Sequence, residues 1–218
     1  MLYRSPESIE EESLALIRSE VGPHGFSAEE FAIVERMIQA AGDLEFAPTT
    51  EFRRGAVQAG VEALRQGRSL VVDVEMVVSG LRQDLLASLG VSVRCAIRDD
   101  DVRQRAGELG TTRAAIAIEK VALAEPDAIV AVGNAPTALL RVVELIREHQ
   151  IRPPLVIGMP VGFVLAAESK ELLRELDVPA IVCRGRKGGS AVTVAALNTL
   201  LKVTSAPSMQ RDSQRRES

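Results

Sequence analysis

Five short apolar segments divide the chain, and longer amphipathic stretches separate them. Each is a continuous run rich in Val, Ile, Leu and Ala, which is typical of strands that are buried on both faces of a sheet. The predicted strands are Leu70–Val74, Val91–Ile97, Ala128–Val132, Leu155–Gly158 and Ala180–Cys183. Because helical patterns lie between them, the sequence predicts an α/β fold whose mostly parallel, doubly wound sheet is flanked by helices.

Helix signals are strongest ahead of the first predicted strand. Ser27 and Glu30 have the spacing of a capping box, and Gly42 is placed to end the helix that they open. Its predicted apolar stripe consists of Phe31, Val34, Ile38 and Ala41. A further helix is predicted to open at Thr49 or Thr50 and to end at Gly67, with Val57, Val61 and Leu64 on its apolar face. The sequence thus predicts a helical N-terminal segment without a strand, which wraps the sheet.

The helical and apolar patterns extend to about residue 203 without a break that would mark a second domain. We therefore expect one α/β domain over residues 1–203. Residues 204–218 are polar and show no periodicity, so they are predicted to form a frayed tail.

Composition excludes several classes of protein. The formal net charge is −4, which is not the charge of a nucleic-acid binder, and the uncharged runs are too short to span a bilayer. The first residues do not resemble a signal peptide, and Cys95 and Cys183 lie far apart without a metal-binding or redox spacing. We therefore expect a cytoplasmic protein with reduced thiols.

Three glycine-rich loops lie where a predicted strand leads into a helix. They are 133–137, 158–163 and 185–190, and Arg184, Arg186 and Lys187 add positive charge beside the last. Glycine lets backbone N–H groups approach a ligand, and a helix N-terminus attracts anions. Since ligands of open parallel sheets bind at the carboxyl ends of strands, the loops are predicted to converge on one anion-binding cleft. The alternative is that they are only tight turns, and none matches a dinucleotide or P-loop fingerprint.

Arg113 occupies the first turn of a predicted helix, where the helix dipole disfavours a cation. Either it faces an anionic ligand or it is an ordinary solvated side chain. His24 and His149 pair with no Asp, Glu or Cys at a metal-ligand spacing, so neither a bound metal nor a nucleophilic triad is predicted.

Taken together and in order, these loops resemble the precorrin-8X methylmutase family, which includes cobalt-precorrin-8 methylmutase. The most specific strings are Gly133-Asn-Ala-Pro-Thr-Ala138 and Pro160-Val-Gly-Phe-Val164. Further matching stretches are 35–43, 73–76, 111–113, Ser169-Lys170 and 185–190. The resemblance implies a homodimer with a deep cleft that moves a methyl group from C-11 to C-12 of a corrin precursor, giving hydrogenobyrinate or cobyrinate. It implies no separate cofactor, and possible hand-over of the product to the next enzyme.

The resemblance also implies the residues that bind the polycarboxylate substrate. Ser13 and Arg113 match substrate-contacting residues of the family. The remaining implied binding residues lie in the three loops and are Asn134, Thr137, Gly162, Arg186, Gly188, Gly189 and Ser190.

One position departs from the family. Gln39 stands where the family has the His that acts as acid and base, and a carboxamide cannot supply a proton near neutral pH. Glu35 and Asp43 lie one helical turn away on either side. Three explanations remain open: an engineered variant, an enzyme that uses another acid, or a non-catalytic corrinoid-binding or carrier paralogue. Without the resemblance, an α/β enzyme for a small phosphorylated or carboxylated metabolite would also fit.

Overall fold

The computed structural model describes residues 4–206. Within this range the helices are α1 (Pro6–Val21), α2 (Ala28–Ala41), α3 (Phe46–Thr49), α4 (Ala56–Arg65), α5 (Glu75–Gly80), α6 (Gln83–Leu89), α7 (Asp100–Leu109), α8 (Arg113–Ala124), α9 (Pro136–Arg147), α10 (Ala166–Arg174) and α11 (Ser190–Ser205). The strands are β1 (Thr50–Arg53), β2 (Leu70–Val72), β3 (Val93–Arg94), β4 (Ile129–Val132), β5 (Val156–Gly158) and β6 (Ala180–Cys183). None of the described helices is both long and apolar enough to cross a membrane.

The six strands form one sheet in the order β1-β6-β5-β4-β2-β3. All neighbouring pairs are parallel except β1 and β6, which confirms the predicted mostly parallel sheet. The chain passes from β2 to β3 in one direction, whereas β4, β5 and β6 follow on the other side of β2. The strand order therefore reverses between β2 and β4, and a crevice at such a reversal is the usual ligand site of an open α/β sheet.

Alternate residues of the buried strands enter two different cores, which confirms that helices cover both faces. Val72, Ile157 and Cys183 belong to a core with α2, α4 and α11. Val71, Val130 and Val182 belong to a core with α8, α9 and α10. The N-terminal helices α1 and α2 lie on the first of these faces, so the N-terminal segment wraps the sheet as predicted.

Strand β1 corrects the prediction that no strand precedes Leu70 and that a helix opens at Thr49 or Thr50. Residues 50–53 pair antiparallel with β6, from Thr50 opposite Cys183 to Arg53 opposite Ala180, and α4 begins only after Gly55. The strand is four residues long, carries charges and lies at the sheet edge, so it has no apolar run. Pairing with β6 forms it, and a pattern within the segment cannot reveal such a partner.

Helix α2 has the predicted capping box at Ser27 and the left-handed Gly42 at its end. Ala41 is an exception to the predicted buried stripe: it is exposed, because the last turn of α2 extends past the buried residues, which end at Ile38. At the other end of the chain, α11 continues to Ser205 and buries Thr204. The predicted tail therefore begins no earlier than residue 206, and its remainder lies outside the described residues.

Candidate active site at the carboxyl edge of the sheet

The loops that follow β5 and β6 are joined by backbone hydrogen bonds. The N–H of Gly162 donates to the carbonyl oxygen of Arg186 at 3.1 Å, and the N–H of Gly189 donates to that of Met159 at 2.8 Å. Gly188, at φ 155°, lies against the Met159 carbonyl so closely that a Cβ would overlap it. Glycine is required here because the two backbones are in contact.

The loop that follows β4 meets the same region. A Cβ on Gly133 would lie 2.8 Å from Oγ1 of Thr193 and 3.2 Å from Cα of Ser190, so this loop abuts the start of α11. The prediction that the loops at Gly133, Gly158 and Gly185 converge at the carboxyl edge is therefore confirmed.

Asp73 changes the expected role of the Gly133 loop. It directly follows β2, it is fully buried, and its carboxylate accepts hydrogen bonds from the N–H groups of Gly133, Asn134 and Ala135 at 2.8–2.9 Å. Because a protein carboxylate occupies these donors, they are not available to a ligand anion. The expectation that these three N–H groups bind such an anion is wrong.

The N-terminus of α8, which contains Arg113, contacts the N-terminus of α9, which follows the Gly133 loop. Thr112 caps α8 by accepting a hydrogen bond from the N–H of Ala115 at 3.2 Å, and its hydroxyl lies 2.7 Å from that of Thr137 in the first turn of α9. Arg113 is exposed and forms no ion pair with any residue between 4 and 206. Its guanidinium is therefore exposed, on the residue that follows the Thr112–Thr137 contact.

The basic residues beside the β6–α11 loop are not equivalent. Lys187 is engaged by Asp43 at 2.5 Å and by Glu45 at 2.9 Å, and Arg184 lies 3.3 Å from Glu171. Arg186, in contrast, has no carboxylate partner in the described part of the chain and lies over the ring of Phe163, with Cζ 5.4 Å from the ring centroid. Of the three predicted cations, Arg186 is the one that is open to an anionic ligand.

Exposed apolar side chains follow β5 and β2. Phe163, beneath Arg186, is 85% exposed, Val164 is 75% exposed, and Met76, in the first turn of α5, is 71% exposed. Such residues at the mouth of a sheet crevice favour contact with an apolar ligand surface. Composition does not reveal their exposure, and the only sequence signal is the string that contains Phe163.

Lys170 forms a hydrogen bond with the backbone of the β6–α11 loop. Its side chain is fully buried, and Nζ donates to the carbonyl oxygen of Lys187 at 2.7 Å. Desolvation lowers the pKa of this ammonium group to about 8, although Cys183 and Glu171 oppose the shift. Burial of a cation beneath a loop fixes the carbonyl that it binds.

The other predicted binding residues occupy different surroundings. Asn134 is exposed, Thr137, Gly162, Gly188 and Gly189 are partly buried, and Ser190 is only 9% exposed. Ser190 therefore serves mainly as the first residue of α11 and offers little surface to a ligand.

Ser13 and Gln39 are brought together in one groove. They line a groove of about 270 Å³ whose other walls are residues of α1, α2, Gly42 and Leu44. A second groove of about 420 Å³ lies on the α11 side of Gln39. The Oε1 atom of Gln39 accepts a hydrogen bond from Nη1 of Arg36 at 2.9 Å. The ion pair of Asp43 with Lys187 links this region to the β6–α11 loop.

Glu35 and Asp43, which lie one helical turn from Gln39 on either side, both pair with cations. Glu35 is buried and accepts from Nε of Arg18 at 2.6 Å. The hydrogen bond from Lys187 lowers the pKa of Asp43, assisted by the N–H of Glu45. A carboxyl group whose pKa is lowered is a poor proton donor near neutral pH, so Asp43 is not suited to replace a catalytic imidazole. Between residues 4 and 206, no group of three or more His, Cys, Asp or Glu side chains could hold a metal ion.

Comparison with known proteins identifies the family. The sequence profile of precorrin-8X methylmutase matches residues 8–203. The chain is 47% identical to a cobalt-precorrin-8 methylmutase of Priestia megaterium, over 89% of this chain and 87% of that protein. It is 38% identical to a precorrin-8X methylmutase of Pseudomonas aeruginosa, over 90% and 95% of the two chains. The crystal structure of precorrin-8X methylmutase from Thermus thermophilus superposes with a TM-score of 0.83 at 46% identity, covering 91% of this chain and 96% of that one. The chain therefore belongs to the precorrin-8X methylmutase family.

Proposed function

We propose that this protein is an isomerase of corrin biosynthesis that moves a methyl group from C-11 to C-12 of precorrin-8X or cobalt-precorrin-8. The observation that carries the proposal is the family match over residues 8–203. Relatives that share 36–47% of their residues with this chain are named as methylmutases of these two substrates, which favours an enzyme over a carrier. The products would be hydrogenobyrinate or cobyrinate.

The geometry of the carboxyl edge suits such a ligand. A corrin precursor is a flat conjugated ring with carboxylates around its rim. The exposed side chains of Met76, Phe163 and Val164 offer apolar contact for the ring, whereas Arg113 and Arg186 offer two cations without carboxylate partners in the described residues. Charge-assisted hydrogen bonds to carboxylates are the strong ones, so the two arginines would dominate binding.

The remaining predicted residues would complete the site. Asn134 and Thr137 present side chains beside Arg113, and Gly162, Gly188 and Gly189 allow the ring to approach the backbone. Ser13 and Gln39 would contact the substrate from the groove between α1 and α2. No separate cofactor is proposed, because the conjugated ring itself can hold the electrons of the migrating bond.

We also propose a cytoplasmic homodimer that hands its product to the next enzyme. Support for the compartment comes from Cys95 and Cys183, which are both free thiols. The dimer and the hand-over rest on the family resemblance. Light scattering during size-exclusion chromatography would test the dimer, and a monomeric mass at assay concentration would contradict it.

Absorption spectroscopy tests the proposed reaction. The methyl shift changes the conjugation of the ring and therefore its colour, so incubation with precorrin-8X or its cobalt form should shift the visible spectrum. Chromatography against authentic product confirms the identity of the new species. The proposal fails if stoichiometric protein neither binds nor converts either substrate, while the Priestia megaterium relative converts one under the same conditions.

Arg113→Ala is expected to weaken binding of the corrinoid product by about tenfold or more, because a charge-assisted hydrogen bond is worth about 1.5–3 kcal/mol. Absorbance titration measures the affinity. Arg65→Ala is the matched control, since Arg65 is also exposed and without an ion pair in the described residues, but it ends α4 at the amino edge of the sheet. Equal affinities of the wild type and Arg113→Ala would make Arg113 an ordinary surface residue.

A further inference from the structure

Asp73 is a buried acid that the proposed chemistry does not use directly. It is fully buried, so it cannot touch the substrate, and its two oxygens are engaged by three backbone N–H groups. The N–H of Gly133 bonds to Oδ1, and those of Asn134 and Ala135 bond to Oδ2. Both oxygens of Asp73 therefore act as hydrogen-bond acceptors for the backbone of another segment.

The position of Asp73 gives these hydrogen bonds a functional meaning. The residue directly follows β2, and the loop that it holds follows β4, so the bonds cross the point where the strand order reverses. The loop leads within two residues from Ala135 to Thr137, whose hydroxyl meets that of Thr112 at 2.7 Å, next to Arg113. The loop's geometry thus determines where Asn134 and Thr137 present their side chains.

We propose that Asp73 is a positioning residue that fixes the β4–α9 loop, and through it Asn134 and Thr137, for contact with the substrate. This inference rests on the proposed function, because the ligand that these side chains contact is the corrinoid. It assigns Asp73 a role in binding that it exerts only through another segment of the chain.

The chemistry of the side chain explains why an acid is required. Three N–H donors converge on Asp73, and a carboxylate can accept all three because both of its oxygens are acceptors. An Asn of nearly equal volume has one carbonyl oxygen, so its NH₂ group would face at least one N–H donor. Asp73→Asn would therefore preserve packing while it removes one or two hydrogen bonds and adds a donor–donor contact.

The buried charge also has a cost that the loop must offset. Desolvation raises the pKa of Asp73, and the hydrogen bonds from Gly133, Ala135 and Asn134 act in the opposite direction. A carboxylate in an apolar interior is retained only where such donors stabilise it. If only helix packing were needed here, an apolar residue would serve without this cost.

A double-mutant cycle tests the inference with corrinoid affinity as the readout. Asp73→Asn is expected to weaken binding by about tenfold in the wild-type background, comparable to loss of one hydrogen bond to a charged group. In a background that carries Asn134→Ala and Thr137→Val, Asp73→Asn should weaken corrinoid binding by less than about threefold. The side-chain groups that Asp73 positions are already absent from that background. A merely structural role would give the same loss in both backgrounds, which would overturn the inference.

Asp127→Asn provides the matched control. It makes the same chemical change just ahead of β4, at the opposite edge of the sheet, where Asp127 pairs with Arg68 at 3.2 Å. Wild-type affinity is expected for this variant, and circular dichroism should show that all variants are folded. Equal weakening by Asp127→Asn would also overturn the inference.

A second variant covers the case in which Asp73→Asn fails to fold. Asp73→Ala leaves a space that faces the three N–H donors, and formate carries the carboxylate that fits it. Added formate is expected to restore corrinoid affinity, whereas chloride at equal ionic strength is not. Absence of rescue by formate, or failure of both variants to fold, would make Asp73 a folding residue and overturn the inference. The proposed function fails separately, if the wild-type chain itself does not bind the corrinoid.

Discussion

Gln39→His is expected to raise the single-turnover rate of methyl migration by about 10²–10⁴-fold, the usual contribution of a positioned acid or base. The Oε1 atom of Gln39 is held by Arg36, and a carboxamide at this site has no proton to give near pH 7. An imidazole at the same position can exchange one. All other residues proposed to bind the substrate are unchanged, so affinity should remain within about threefold while the rate rises.

The two carboxyl groups one helical turn from Gln39 are both paired with cations. Lys187 lowers the pKa of Asp43, and the buried Glu35 accepts a hydrogen bond from the exposed Arg18. Rapid mixing of excess enzyme with substrate, followed by absorbance, measures the rate for the wild type, Gln39→His and the control Gln39→Asn. If the wild type already matches Gln39→His, another group supplies the proton, and Asp43→Asn becomes the next variant to examine.

Gly188→Ala is expected to lower the free energy of unfolding by about 2–4 kcal/mol and to weaken corrinoid binding by more than tenfold. The φ angle of Gly188 is 155°, and a Cβ there would overlap the carbonyl oxygen of Met159. That oxygen is backbone and accepts the N–H of Gly189 at 2.8 Å, so it cannot rotate away. The two loops would have to separate, and the site that they form would open.

Gly185→Ala is the control for Gly188→Ala. Gly185 also has a positive φ angle, 76°, but nothing lies within 4 Å of a Cβ built there. The free energy of unfolding of this variant should fall by only about 1 kcal/mol, because a residue with a Cβ is strained in the left-handed conformation. Urea denaturation measures both losses, and equal values would show that backbone strain, and not contact between the loops, explains the requirement for Gly188.

Several features of this protein follow from the sequence alone, because the signals that specify them are local. The capping box at Ser27 and the end of α2 at Gly42 depend on residues a few positions apart. The core strands are continuous apolar runs, and both faces of such strands must be covered whatever the neighbours are. The convergence of the three loops also follows, since parallel strands place their carboxyl ends at one edge.

The features that only the tertiary structure decided all involve partners that are distant in the chain. Strand β1 exists because β6 pairs with it, although 50–53 carries no strand pattern of its own. Lys187 forms an ion pair with Asp43, 144 positions away, and is therefore not available to a ligand anion. Arg186 forms no ion pair with any carboxylate of the described residues. Asp73 accepts hydrogen bonds from the backbone N–H groups of the glycine-rich loop that the sequence predicted to bind a ligand. Hydrogen bonds and ion pairs act over about 3–4 Å in space, and only the folded chain determines which groups come that close.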